Sequence, residues 1–274
     1  MIRQFCCWLY LINRLAMMRK KIGLALSGGG ARGFAHIGVL KAFEENNVPI
    51  DMIAGTSAGS FVGAAYAAGM SAGEIEKIAR SITWKRVSGF SYSPRGLLTN
   101  APMERFIRST FPTTRIEDLK LPYATIACDL LTGEEVVFKE KGDLTIAIRS
   151  SCAVPGIFLP VLDETGRQLI DGGVISPIPT QSVKEMGADV LIAVDLLTSG
   201  TGTTNPPKNL LTTFIRSSMM LIANASRNQH YIADVVIEPE IAHIRPDQIK
   251  KMDELIELGY LSATKVLAER SSLF

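Results

Sequence analysis

With 274 residues, 47% hydrophobic and 20% charged, the chain is long enough for one large α/β domain with a full core. A formal net charge of +2 is too balanced to argue for nucleic acid, and no nucleic-acid partner is expected. The four cysteines, Cys6, Cys7, Cys128 and Cys152, show neither a disulfide framework nor metal-ligand spacing, which fits a reducing, cytoplasmic setting, and no stretch approaches the roughly 20 apolar residues that span a bilayer.

Residues 1–20 stand apart. Phe5–Ile12 is apolar, with Arg3 before it and Arg14 after it. The first reading is a dispensable upstream extension, because Met17 and Met18 directly precede Arg19-Lys20-Lys21 and the first strand. An interfacial helix lying on a membrane comes second. A signal peptide comes last, since no small-x-small cleavage site follows.

Lys21–Ser27 reads as an apolar strand and runs into Gly28-Gly29-Gly30-Ala31-Arg32-Gly33. Phe34, Ile37, Leu40 and Phe43 then recur at helical spacing up to a C-cap at Asn46-Asn47. The loop fits G-x-G-x-x-G, the dinucleotide fingerprint, but that fold wants an acid at the end of its second strand. Asp51 precedes the second strand instead. No Gly-Lys-Ser/Thr follows, so a phosphate loop of the P-loop type also fails. Convergent glycine N–H groups at a helix start suit an oxyanion hole. Arg32 would support that loop, add positive charge to it, or simply be a solvated surface residue.

Met52–Ala54 reads as a buried strand, and Ala58–Gly69 as a buried helix. Between them lies Gly55-Thr56-Ser57-Ala58-Gly59, a G-x-S-x-G pentapeptide in its strand–turn–helix context. Such a turn strains the serine backbone and exposes its hydroxyl where the helix dipole favours negative charge. The plainer alternative is a serine helix cap.

Ser71–Ile82 reads as an amphipathic helix. Ser88–Thr99 is irregular, with exposed-looking Phe90, Tyr92, Leu97 and Leu98, and forms either a lid or apolar rim, or an ordinary packed loop. Ala101–Phe111 reads as a helix and Ile116–Leu119 as a helical turn. Pro122–Asp129 and Glu135–Phe138 read as a strand hairpin, and Leu144–Ser151 as a helix. Ala153–Val161 is apolar and broken by two prolines, which suits a rigid pocket wall. Gln168–Ile170 is a short strand ending in Asp171-Gly172-Gly173, either a turn or a carboxylate placed to take the Ser57 proton. Pro177–Gly187 reads as a helix, Val190–Val194 as a buried parallel strand and Ser199–Lys208 as a loop. Leu210–Tyr231 is a long helix, Val235–Glu238 a last strand and Ile249–Leu267 an amphipathic C-terminal helix.

The Ser27–Gly33, Gly55–Gly59 and Asp171–Gly173 motifs, in that order, resemble the patatin-like phospholipase family, over roughly residues 21–269 with 270–274 as a tail. The resemblance implies a three-layer α/β/α sandwich with a central, mostly parallel sheet. It implies lipid acyl hydrolysis by a Ser–Asp dyad, with Ser57 as nucleophile and Asp171 as proton acceptor. Gly28, Gly29 and Gly30 would form the oxyanion hole with Arg32 alongside, framed by the motif residues Gly33, Gly55, Gly59, Gly172 and Gly173. Gly173 stands where many members have Ala. No metal and no cofactor are implied. The implied partners are a phospholipid, lysophospholipid or other fatty-acyl ester, with peripheral contact at the inner face of the membrane. Of the three histidines, His36 follows the oxyanion loop, while only His230 and His243 come after the acid, the order a Ser–His–Asp triad needs. A nucleotide-binding protein using Gly28–Gly33, and a non-catalytic adaptor, stay as alternatives.

Overall fold

The computed structural model describes residues 19–93, 95–198 and 206–273. The readings for residues 1–18, and most of the loop expected at 199–208, lie outside the described residues. In chain order, β1 (Ile22–Leu26) leads through a 3-10 turn (Gly30–Gly33) into α1 (Phe34–Glu45), and β2 (Met52–Thr56) leads into α2 (Ala58–Ala67). Then come α3 (Ala72–Arg80), the short α4 (Trp84–Val87), β3 (Gly89–Phe90), β4 (Leu98–Thr99) and α5 (Ala101–Thr110). β5 (Tyr123–Asp129), β6 (Glu135–Lys139), α6 (Leu144–Ser151), β7 (Val161–Leu162) and β8 (Gln168–Asp171) follow. The chain continues through α7 (Thr180–Glu185), β9 (Val190–Val194), α8 (Leu210–Gln229), β10 (Val235–Ile237) and α9 (Met252–Glu269).

The main sheet has the order β10-β9-β1-β2-β5-β8-β7, with β6 also paired to β5. β10, β9, β1, β2 and β5 are mutually parallel. β6, β8 and β7 add antiparallel pairings at one side. Strands such as Ile22–Leu26 and Val190–Val194 are apolar throughout because both faces are covered. Leu24, Leu26, Ile53, Ile192 and Val194 face a thick helical layer containing α1, α2 and α9. Ala25, Ala54, Leu191 and Ala193 face a thinner layer built on Ile178 and Val183 of the α7 region. This is the three-layer α/β/α arrangement expected from the sequence. Helices α1 and α9 touch backbone to backbone: a Cβ at Gly38 would lie 1.9 Å from the Ile256 carbonyl oxygen, and one at Gly259 would lie 2.0 Å from that of Ala35.

The pairing of β5 places the site. β6 occupies one edge of β5 from Ala124 to Cys128. β2 and β8 therefore share the other edge. β2 is parallel to β5 and ends with Thr56 opposite Ile126. β8 is antiparallel and ends with Asp171 opposite Ala127. The two strands run toward each other along one edge, and their C-terminal ends meet at consecutive register positions.

Several elements differ from expectation at their edges. The Ser88–Thr99 stretch contains a two-stranded hairpin, β3 paired to β4, and Leu98 is hydrogen-bonded to Ile157 and Leu159. The helix expected over Pro177–Gly187 is regular only from Thr180 to Glu185, because Pro179 supplies no amide and forms its N-cap. The amphipathic helix expected over Ser71–Ile82 starts at a Ser71–Glu74 capping box and ends at Arg80.

Candidate active site

Ser57 sits on the turn between β2 and α2 with φ 53° and ψ −122°, outside the regions that side-chain-bearing residues normally adopt. Its backbone N–H donates to the Ser151 hydroxyl at 2.8 Å, and its carbonyl accepts from the Ser60 hydroxyl at 2.6 Å. Close approach makes the turn this sharp: a Cβ at Gly59 would lie 2.3 Å from the Leu26 carbonyl oxygen, and one at Gly55 would lie 2.3 Å from that of Gly59. Although Ser57 occupies the N-cap position of α2, its side chain caps nothing. Its hydroxyl donates instead to Asp171 Oδ2 at 2.6 Å.

Asp171 is buried, and its other oxygen, Oδ1, accepts the Gly173 N–H at 2.7 Å. Its own N–H donates to the Ala153 carbonyl at 2.9 Å, which ties the strand end to the proline-broken segment. Burial disfavours the charged carboxylate and raises its pKa to about 6, against the lowering effect of the Ser57 and Gly173 hydrogen bonds. The same burial, with the nearby Asp171 charge, pushes the Cys152 thiol up to about 12.

The glycine-rich loop lies against this pair. A Cβ at Gly28 would be 3.2 Å from Ser57 Cβ, and one at Gly33 would be 2.5 Å from Ala58 Cβ. Gly30 has φ 59°, and a Cβ there would meet the Pro246 carbonyl oxygen at 2.6 Å, so only glycine fits. The amides divide into two sets. Gly28 N–H donates to the Pro177 carbonyl at 3.1 Å, and Ala31 N–H to the Pro246 carbonyl at 2.7 Å. The Gly29 and Gly30 amides have no acceptor among the described residues. The expected donor set is thereby corrected: an amide carries one proton, and that of Gly28 is in use.

Of the readings offered for Arg32, the solvated surface residue is corrected and support of the loop is the one its bonds fit. Its guanidinium is buried, with Nε donating to the Ile244 carbonyl at 2.7 Å and Nη1 to that of Leu196 at 3.1 Å. Burial lowers its pKa. It supports the loop by tying the segments after β9 and before α9 beneath it.

The histidines lie elsewhere. His36 is fully buried and hydrogen-bonded through Nε2 to the Ser27 carbonyl at 2.9 Å, and burial lowers its pKa to about 4. The ring is therefore neutral at pH 7, with Nε2 carrying the proton. His230 pairs with Asp195 at 2.7 Å, and His243 pairs with Glu254 at 2.7 Å. None of the hydrogen bonds to Ser57 among the described residues comes from a histidine. Asp51 accepts from Arg19 and the Ile22 N–H at the N-terminal ends of β1 and β2, opposite the glycine loop, where it cannot serve a dinucleotide bound there. Among the described residues, one cluster brings metal-type ligand atoms within 4.8 Å of one another: Asp195, His230 and Glu238 at the ends of β9 and β10.

A cavity of about 830 Å³ opens over Ser57 and Asp171. Gly28, Gly29, Gly30, Arg32, Gly33 and Gly173 border it, whereas Gly55, Gly59 and Gly172 lie behind it as packing glycines. Its walls are mostly apolar, including Phe61 and Met103 and, from the 153–161 segment, Val154 and Phe158. Ser151 opens the Ser151–Val161 segment that the family resemblance places beside the site, though its bond to the Ser57 amide could not be read from the sequence. Met219 and Ile222 of α8 were not foreseen and reach the cavity only through the fold.

A patatin-like phospholipase family model matches residues 24–184, well over half of the chain, and takes in all three motifs. The chain belongs to the patatin-like phospholipase family. It is 40% identical over 185 residues to an uncharacterized NTE family protein of Mycobacterium tuberculosis, covering 66% of this chain and 51% of that protein. It is 39% identical over 184 residues to human patatin-like phospholipase domain-containing protein 6, covering 64% of this chain and 13% of that protein. It is 36% identical over 192 residues to lysophospholipase nte1 of Neurospora crassa, covering 67% of this chain and 12% of that protein. The chain thus spans about half of the mycobacterial relative and about an eighth of the other two. Among solved structures, the fold resembles VipD from Legionella pneumophila, with a TM-score of 0.53 at 14% identity over 91% of this chain and 67% of that one. It also resembles ExoU in its complex with SpcU from Pseudomonas aeruginosa, with a TM-score of 0.54 at 18% identity over 92% of this chain and 52% of that one. Among the described residues, no helix is long and apolar enough to cross a membrane.

Proposed function

We propose that this chain is a serine lipid acyl hydrolase that cleaves fatty-acyl esters of phospholipids or lysophospholipids through a Ser57–Asp171 dyad. The single observation that carries this reading is the 2.6 Å hydrogen bond from the Ser57 hydroxyl to a buried carboxylate with a raised pKa, beside two amides that have no acceptor among the described residues. Family membership supports it, as does the name of the Neurospora relative, a lysophospholipase. The apolar cavity suits an acyl chain.

In this mechanism Ser57 Oγ attacks the ester carbonyl carbon while its proton moves to Asp171 Oδ2. The oxygen that gains charge is held by the Gly29 and Gly30 N–H groups. The C–O bond to the alcohol then breaks, and the leaving oxygen takes the proton from Asp171. Water attacks the acyl-enzyme as Asp171 accepts its proton, and collapse returns that proton to Ser57 and frees the fatty acid. A carboxylate is a weak base toward an alcohol, and its raised pKa narrows that gap. Residues 21–269 would form the catalytic unit.

The test is hydrolysis of a lysophospholipid and of a short p-nitrophenyl ester by wild type, Ser57→Ala and Asp171→Asn, with a fluorophosphonate probe as a second readout. Wild type should turn over both substrates and be labelled. Both variants should stay folded and lose at least ~1000-fold in rate, in line with the removal of triad members in serine hydrolases. Near-wild-type activity in Asp171→Asn would place the base elsewhere.

A further inference from the structure

Two surface segments flank the mouth of the cavity, and their composition is unusual. Trp84 and Val87 of the first segment line the cavity, as do Lys208, Thr212 and Arg216 of the second. The segments are joined around the rim. Leu98 of the β3–β4 hairpin is hydrogen-bonded to Ile157 and Leu159, and the Phe214 ring lies 3.7 Å from where a Cβ at Gly156 would stand. Along this arc the largest apolar side chains face solvent. Phe90 is 88% exposed, Leu210 is 86% exposed, Tyr92 is fully exposed, and Phe214 and Leu97 are more than half exposed. Single exposed apolar residues are ordinary, but five large ones on the segments that border one opening mark an interaction surface.

The charges around that arc have one sign. From Lys77 to Met103, and again from Leu196 to Ala233, the sequence has no Asp or Glu, although the chain carries 27 of them among 274 residues. Lys85, Arg86, Arg95 and Lys208 are exposed on these segments and take part in none of the ion pairs among the described residues. Outside these segments Arg108, Arg115, Arg149 and Arg167 each hold a carboxylate. Asp247, which also lines the cavity, is already paired with Arg245. Apolar tips that protrude beside unneutralised cations, with no acid among them, match the cross-section of an anionic bilayer, where acyl chains lie beneath a layer of negative headgroups.

We propose that this rim is a docking surface for an anionic lipid bilayer. Phe90, Tyr92, Leu210 and Phe214 enter the headgroup–acyl boundary, and Lys85, Arg86, Arg95 and Lys208 lie against the headgroups. Docking in this orientation turns the cavity mouth toward the membrane, so a lipid passes from bilayer to Ser57 without crossing water. The proposal takes the lipid reading of the site as its context, but binding does not require turnover.

The test separates the two. Full-length Ser57→Ala is sedimented with vesicles of phosphatidylcholine alone and of phosphatidylcholine with phosphatidylglycerol. The expected result is at least ten-fold stronger binding to the anionic vesicles, weakened by added salt. Phe90→Asp with Tyr92→Asp should lower that binding at least ten-fold. Lys85→Glu with Arg86→Glu should remove most of the anionic preference, at roughly five-fold per cation lost. In the Ser57-intact background both double variants should hydrolyse a soluble p-nitrophenyl ester within about two-fold of wild type, which shows that they fold. Equal binding to the two vesicle types, no binding, or binding unchanged by both double variants would overturn the proposal. So would a dimer in solution that Phe90→Asp with Tyr92→Asp makes monomeric, since the rim would then face a second copy. If soluble-ester hydrolysis is absent while vesicle binding follows the expected pattern, the hydrolase reading falls and the docking surface stands.

Discussion

Asp171 does two opposed things. As a buried carboxylate with no cationic partner among the described residues it is costly to ionise, and that cost is what raises its pKa from 3.8 to about 6. The proposed mechanism needs the ionised form to accept the Ser57 proton. The rate at subsaturating substrate should therefore rise with pH through about 6 and level off above it, read as kcat/KM on a soluble ester. Stability should move the other way. The folded pKa lies above the unfolded one, so between about pH 4 and 6 the native state binds a proton that the unfolded chain has lost, and stability falls as pH rises through that window. Two pKa units correspond to about 3 kcal/mol at most. Asp171→Asn keeps an acceptor for the Gly173 amide and removes the charge. It should be inactive yet more stable than wild type by on the order of 1–2 kcal/mol at pH 8, with the gap closing near pH 4. Urea denaturation at the two pH values measures this. A variant less stable than wild type at pH 8 would show that the charge is better solvated than its burial implies.

Helix α6 illustrates how an element far from any motif serves the site. Asp143 caps its N-terminus by accepting from the Thr145 and Ile146 amides, and Thr145, Ala147 and Ile148 bury one face. The helix then ends at Ser151, whose hydroxyl accepts the Ser57 N–H. That amide lies at the strained turn, where a lost hydrogen bond has no replacement. Ser151→Ala should cost about 1–3 kcal/mol of stability, the penalty for an unsatisfied buried amide. It should also lower kcat roughly ten-fold with KM nearly unchanged, which corresponds to about 1.4 kcal/mol of lost positioning. A fall in stability with kcat intact would mean that Ser151 only fastens α6 to the turn.

The whole molecule carries an acid sensitivity of opposite sign to that of Asp171. His36 is sealed between β1 and the helical layer, neutral, with its pKa depressed from 6.5 to about 4. The unfolded chain takes up a proton below pH 6.5 and the folded chain does not, so stability present above that pH is lost as pH falls toward 4. The shift corresponds to about 3 kcal/mol. His36→Gln can keep a donor for the Ser27 carbonyl without a titrating ring. Its stability should be flatter than that of wild type between pH 6.5 and 4, measured by chemical denaturation. An unchanged acid limb would assign the loss to other groups.

Much of this architecture was legible from residues alone, for reasons that are local. Buried parallel strands must be apolar throughout, which marks Lys21–Ser27 and Val190–Val194. A serine between a strand and an alanine-rich helix, flanked by glycines, marks the turn at Ser57. Those constraints act over a few residues, so they can be read along the chain. Four other features depended on residues distant in sequence. The meeting of Ser57 with Asp171 depends on β2 and β8 sharing one edge of β5. The division of the glycine amides depends on where the Pro177 and Pro246 carbonyls arrive. The direction of Arg32 depends on Leu196 and Ile244, and the support of Ser57 on Ser151. A sequence can state that a donor, an acceptor or a charge is present. A hydrogen bond has one partner and a narrow range of distance and angle, so which of them it joins is decided only when the tertiary structure brings those atoms together.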